Sequence, residues 1–296
     1  MEQRRLKSIY RAARGLRFSP SPWVSTKDLL ALAAVMAGEK PAAAFGFLSD
    51  DNEGEIRGLR EELVNLGLET VVTRSIRKPT SRHLDGFPSD LIGAFDLHDL
   101  EADRYRRDFL LWVAVDTRLR RQIKAAVNAP ASVGPLLGYP SCCVRREEDL
   151  HREMGRAFAT AVIEAAGPDG KSVLAALRND VKVTVETSGH ANLWKTDEAY
   201  PFVFHTACDS CLASSESPTG KLNAQFQTLA AELDPALQRT ILEMARLEVQ
   251  FGRICSESDD KGLSPETIDS ETRQRLDSFS ETCEGLLDAF WDSSWG

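Results

Sequence analysis

Two short motifs hold four of the chain's six cysteines: Gly138-Tyr139-Pro140-Ser141-Cys142-Cys143 and His205-Thr206-Ala207-Cys208-Asp209-Ser210-Cys211. In the second, the Cys-x-x-Cys spacing lets two thiolates converge on one ion from a single turn, and His205 can approach beside them. In the first, Pro140 predicts a helix starting at the cysteines. A thiol in that first turn faces unpaired amides and the positive end of the helix dipole, and both favour the thiolate. Adjacent residues leave a helix in different directions, so one sulfur is expected to ligate, Cys142, with Cys143 as a packed neighbour. Cys142, His205, Cys208 and Cys211 then form a three-sulfur, one-nitrogen set. Zinc accepts such a set tetrahedrally, and an iron–sulfur cluster is the alternative cofactor. The same Cys-x-x-Cys pair can also cycle as a metal-free dithiol.

If the centre is catalytic, the acid–base and nucleophilic candidates are His190, Tyr139 and Cys143, with Ser214 in the polar loop after Cys211 as a ligand-binding hydroxyl. Each has a plainer reading. His190 reads as a loop histidine, Tyr139 as packing, and the Ser217 and Thr219 hydroxyls as caps for the following helix. Cys255 and Cys283 have no partner at metal spacing. No Walker loop, dinucleotide fingerprint or nucleophile elbow is present.

The elements that must position these residues follow from periodicity and punctuation. A helix is expected from Thr26 to Gly38, a buried strand over residues 42–48, a helix over 53–66 stopped by Gly67, and a β-rich run over 69–73. That alternation suggests a small α/β unit. Residues 74–90 read as a linker or substrate loop, and 109–127 as one long helix. A helix follows over 142–166, then short β segments over 181–186 and 202–204. Two helices over 223–233 and 236–254 meet at Asp234-Pro235, and a last helix is expected over 266–290. The fold class is α+β or α/β, mostly helical, with the small N-terminal unit packed on a helix-rich cysteine-containing region. The division expected is 1–100, 101–256 and an acidic tail, 257–296.

At net charge -9 the chain lacks the overall basic character of a general nucleic-acid binder. The basic stretches 74–82 and 118–124 read as solvated surface. Six cysteines in 296 residues are too few for a disulfide-dense secreted scaffold, so a reducing cytoplasm is expected. No apolar run is long enough for a membrane span, and the N-terminal residues do not resemble a signal peptide. A small-molecule substrate is the expected partner of a catalytic centre. No heptad pattern calls for assembly, which leaves the oligomeric state open.

The segments Leu136-Leu-Gly-Tyr-Pro-Ser-Cys-Cys-Val and Phe204-His-Thr-Ala-Cys-Asp-Ser-Cys-Leu-Ala-Ser resemble a microbial family of uncharacterised proteins. That family combines a Gly-Tyr/Phe-Pro-x-Cys-Cys element with a later His-x-x-Cys-x-x-Cys-x-x-Ser element. The likeness covers mainly residues 130–230. It implies that Cys142, Cys143, His205, Cys208, Cys211 and Ser214 belong to one site, and carries no activity with it. Three functions therefore stand: a small-molecule metalloenzyme, a protein with a structural zinc site, and a dithiol redox protein.

Overall fold

The structure is a computed structural model that describes residues 26–47, 53–76, 87, 107–127, 133–167, 172–173, 191–260 and 270–292. The expectations for residues 181–186 and for His190 lie outside the described residues. So does almost all of the 74–90 loop. The first helix, α1 (Thr26–Ala37), is apolar nearly all round, and such a helix must lie inside the protein. Leu29, Leu30, Leu32 and Val35 are indeed buried. It ends at Gly38, whose φ of 78° suits glycine, with the Glu39 amide donating back to the Ala34 carbonyl at 2.9 Å.

Next come β1 (Ala42–Phe47), α2 (Glu53–Asn65), β2 (Glu69–Ile76) and β3 (Arg107–Ala114). The sheet order is β1-β3-β2, and β3 is antiparallel to both neighbours. Residues 109–127 therefore do not form the single expected helix. They divide into β3 and α3 (Thr117–Val127), with Asp116 accepting a hydrogen bond from the Leu119 amide at 2.7 Å as α3 begins. A strand covered on both faces loses the apolar–polar alternation that distinguishes strand from helix. Leu111 and Val113 enter the main core, while Trp112 and Ala114 pack with Ile123 and Leu137 on the other side.

The remaining elements are a 3₁₀ turn (Gly134–Leu137), α4 (Ser141–Ala166), α5 (Ala191–Ala199), the one-turn α6 (Asp209–Leu212), α7 (Pro218–Leu233), α8 (Pro235–Asp260) and α9 (Ser270–Asp292). The expected strand at 202–204 is absent: the Phe202 amide donates to the Asn223 side chain at 2.9 Å, and the segment runs as turn and coil. Asp234 marks the α7–α8 junction as expected, accepting from the Ala236 amide at 2.8 Å. The fold is α+β and mostly helical, with a small antiparallel sheet near the N-terminus. One core joins its parts, running from Leu29, Phe45 and Leu111 through Phe202 and Phe226 to Leu237, Ile241 and Phe290.

Candidate metal centre

The site begins where Gly138 ends the 3₁₀ turn. Its φ is 77°, and a Cβ there would lie 2.8 Å from Pro41, so only glycine lets the two loops pass this closely. Pro140 then caps α4, leaving Cys142 and Cys143 in the first turn of a 26-residue helix. On the other side, Cys208 caps α6, and the Cys211 amide closes the turn on the Cys208 carbonyl at 2.9 Å. The Cys211 carbonyl is clamped by the Tyr200 hydroxyl at 2.7 Å and the Ser217 hydroxyl at 2.9 Å. Ser217 in turn accepts from the Gly220 amide and caps α7, as its sequence position suggested.

These elements bring four sulfurs, those of Cys142, Cys143, Cys208 and Cys211, within 4.8 Å of one another. Cys142 lies 3.6 Å from Cys211 and 4.0 Å from Cys143; Cys143 lies 3.7 Å from both Cys208 and Cys211. Cys143, Cys208 and Cys211 are buried, and Cys142 is partly exposed. The sequence expectation made Cys142 the ligand and Cys143 a packed neighbour; the structure brings both sulfurs into the four-sulfur group. Such a set of thiols can hold a metal ion.

The four thiols differ in their electrostatics. Burial pushes the Cys143 thiol well up, and burial together with the neighbouring Cys211 and Cys208 pushes Cys142 up. Burial would also raise Cys211, but the hydroxyl and backbone amide of Thr219, helped by the Cys142 and Cys143 thiols, outweigh it and bring Cys211 down to about 7. One thiolate is thus readily accommodated at neutral pH, and burial and the neighbouring sulfurs disfavour further negative charge. The positive end of α7 supplies part of the field at Cys211.

His205 stands outside the four-sulfur group, and the sulfur of Cys143 occupies the corner expected of it. The His205 Nε2 lies 3.0 Å from the Thr219 hydroxyl, which is itself 3.4 Å from the Cys143 sulfur. With the Thr219 hydrogen directed at sulfur, His205 must carry its proton on Nε2 and donate to the oxygen. Burial and then the nearby Lys40 charge bring His205 down to about 4, so its ring is neutral at pH 7. Tyr139 stacks on that ring with centroids 4.9 Å apart. Burial, then the charge of Asp28, pushes the Tyr139 phenol up to about 12.

Ser214 is exposed; its hydroxyl accepts from the Glu216 amide at 3.2 Å, and its carbonyl accepts from Tyr200. That is a local turn, apart from the sulfur group. Sequence reasoning missed Tyr200 and Lys40 altogether and took Thr219 for a cap. Lys40 is only 4% exposed. Its amine donates to the Leu137 carbonyl and sits 4.5 Å above the Tyr139 ring and 5.4 Å from that of Phe204. Burial lowers its pKa from the usual 10.5 to about 7. No spacing rule marks a lysine three residues after a helix end as buried.

These features bring together four cysteines that could hold a metal ion. No family model, curated protein or solved structure matches the chain. Among the described residues, no helix is long and apolar enough to cross a membrane.

Proposed function

We propose that Cys142, Cys143, Cys208 and Cys211 bind one zinc ion, and that this ion fastens the start of α4 to the α6–α7 segment. The sulfur separations support this reading. A tetrahedral ion with Zn–S bonds of about 2.3 Å has edges of roughly 3.8 Å. The separations of 3.6, 3.7, 3.7 and 4.0 Å fall around that length. A multi-iron cluster places irons and sulfides between its thiolates and so favours a wider cage. Four protein ligands leave zinc no open position, which favours a structural role over Lewis-acid chemistry. The ion closes a long loop, since Cys142 and Cys211 are 69 positions apart, and it neutralises thiolates that burial otherwise disfavours.

A small-molecule metalloenzyme is the second reading. The observation that favours it is the group of buried Lys40 with half-buried Tyr139 and His205, which reaches the sulfurs through Thr219. The free thiols also fit a reducing compartment, the cytoplasm. Metal analysis and an optical spectrum of the full chain, purified without oxygen, test the proposal. It requires one zinc per chain and no visible colour. A brown iron-containing protein would support the cluster, and a metal-free one the dithiol pair.

A further inference from the structure

One pairing of the four sulfurs joins the two sides of the centre by two short separations. Cys142 lies 3.6 Å from Cys211, and Cys143 lies 3.7 Å from Cys208. Exposure differs sharply among them. Cys143, Cys208 and Cys211 are 3%, 6% and 1% exposed, whereas Cys142 is reachable from solvent. The Cys208 sulfur also contacts the Ser210 hydroxyl at 3.1 Å and Cys143 that of Thr219, contacts that moderate sulfur nucleophilicity. No such hydroxyl contact is found for Cys142 among the described residues, so its sulfur is the open entrance to the centre.

From this asymmetry we infer that Cys142 is an oxidation site. A hydroperoxide attacks the centre there, and Cys211 resolves the product as a Cys142–Cys211 disulfide that expels the zinc. This rests on the zinc reading above. The Cys142 sulfur, which bound zinc would keep as a thiolate, attacks the distal peroxide oxygen, forming an S–O bond and breaking the O–O bond. The leaving alkoxide, or hydroxide from hydrogen peroxide, takes a proton. Sulfur has lost two electrons and the peroxide has gained them. The Cys211 thiolate then attacks the Cys142 sulfur, an S–S bond replaces S–O, and hydroxide leaves to be protonated as water. Two thiolates, one hydroperoxide and two protons give one disulfide, one alcohol and one water.

Zinc retains two protein sulfurs after that step and dissociates. A second hydroperoxide, consumed with the same balance, joins Cys143 to Cys208. Both bonds run from the start of α4 to α6, so oxidation exchanges a metal fastening for a covalent one and keeps the two segments together. The vicinal Cys142–Cys143 pair, at 4.0 Å, would join neighbours within one helix turn and would release α4.

The test uses the full chain with Cys255 and Cys283 replaced by serine, loaded with zinc and treated with graded hydrogen peroxide. Released zinc is read with a chromogenic chelator, and disulfides are mapped by mass spectrometry after alkylation. The expected result is a Cys142–Cys211 disulfide as the first product, one zinc released per chain, and Cys143–Cys208 appearing only with further oxidant. Peptide mapping of the earliest oxidised species should find Cys142 in its disulfide, because the remaining sulfurs are shielded. A first product joining Cys208 to Cys211 or Cys142 to Cys143 would overturn the inference. So would zinc retention at several equivalents, or Cys142 sulfinic acid without a disulfide. A reduced protein that holds no zinc before peroxide is added refutes the zinc reading instead, and metal content at that stage distinguishes the two failures.

Discussion

Replacing Thr219 by valine probes the part of the centre that no cysteine spacing reveals. Thr219 is fully buried in the first turn of α7, and valine fills nearly the same volume, so the perturbation is the loss of one hydroxyl. That hydroxyl sits 3.0 Å from the His205 Nε2 and 3.4 Å from the Cys143 sulfur, and it helps hold Cys211 down at about 7. Leaving His205 without its partner should cost about 1–3 kcal/mol of folding stability. Losing a group that orients and polarises metal ligands typically weakens metal binding by about 10–100-fold. In free energy that is about 1.4–2.8 kcal/mol. The effect should grow as pH falls, because zinc must displace a proton that the Cys211 thiol then holds more tightly. Competition for zinc against a chromogenic chelator measures it, and Thr219→Ser, which keeps the hydroxyl, should stay within about threefold of the parent. If valine binds zinc as tightly as threonine, the Thr219 relay has no part in the centre. If serine is as damaging as valine, the role of Thr219 is packing alone.

Three further substitutions test other parts of the structure. Gly220→Ala should be destabilising by about 1–3 kcal/mol in urea unfolding, although alanine is the better helix former; its Cβ would lie 2.0 Å from the Ser215 carbonyl oxygen, and a neutral result would refute that close approach. Lys40→Met should gain stability relative to the parent at pH 6 and lose that advantage towards pH 10. Lys40 releases its proton near 7 when folded but near 10.5 when unfolded, so the unfolded chain binds more protons between those values and the parent gains stability as pH rises. Urea melts in saturating zinc would show this, and a pH-independent difference would contradict it. Cys143→Ser should lower zinc content and affinity, whereas His205→Ala should still retain one zinc per chain, as metal analysis after gel filtration would show.

The sequence made several supports of the centre legible because their signals are local. Gly38 and Gly67 end helices at positive φ, Pro140 starts α4, Ser217 caps α7, and the four clustered cysteines do meet. What misled was non-local. The apolar run at 110–114 lies between two packed faces, and burial on both sides erases the period that separates strand from helix. His205 stands at ligand spacing from Cys208, but spacing along the chain cannot show that Cys143 reaches the fourth corner first. Nor can it show that Thr219, from the next helix, fills the gap between His205 and sulfur. Lys40 looks like an ordinary surface lysine until Leu137, Tyr139 and Phe204 close over it.

X-ray absorption at the zinc edge of the full reduced chain tests the central claim most directly. The account predicts a single shell of four sulfurs at about 2.3 Å, unchanged in shape by His205→Ala. A shell containing imidazole nitrogen, a metal–metal distance, or a chain without stoichiometric zinc would contradict it.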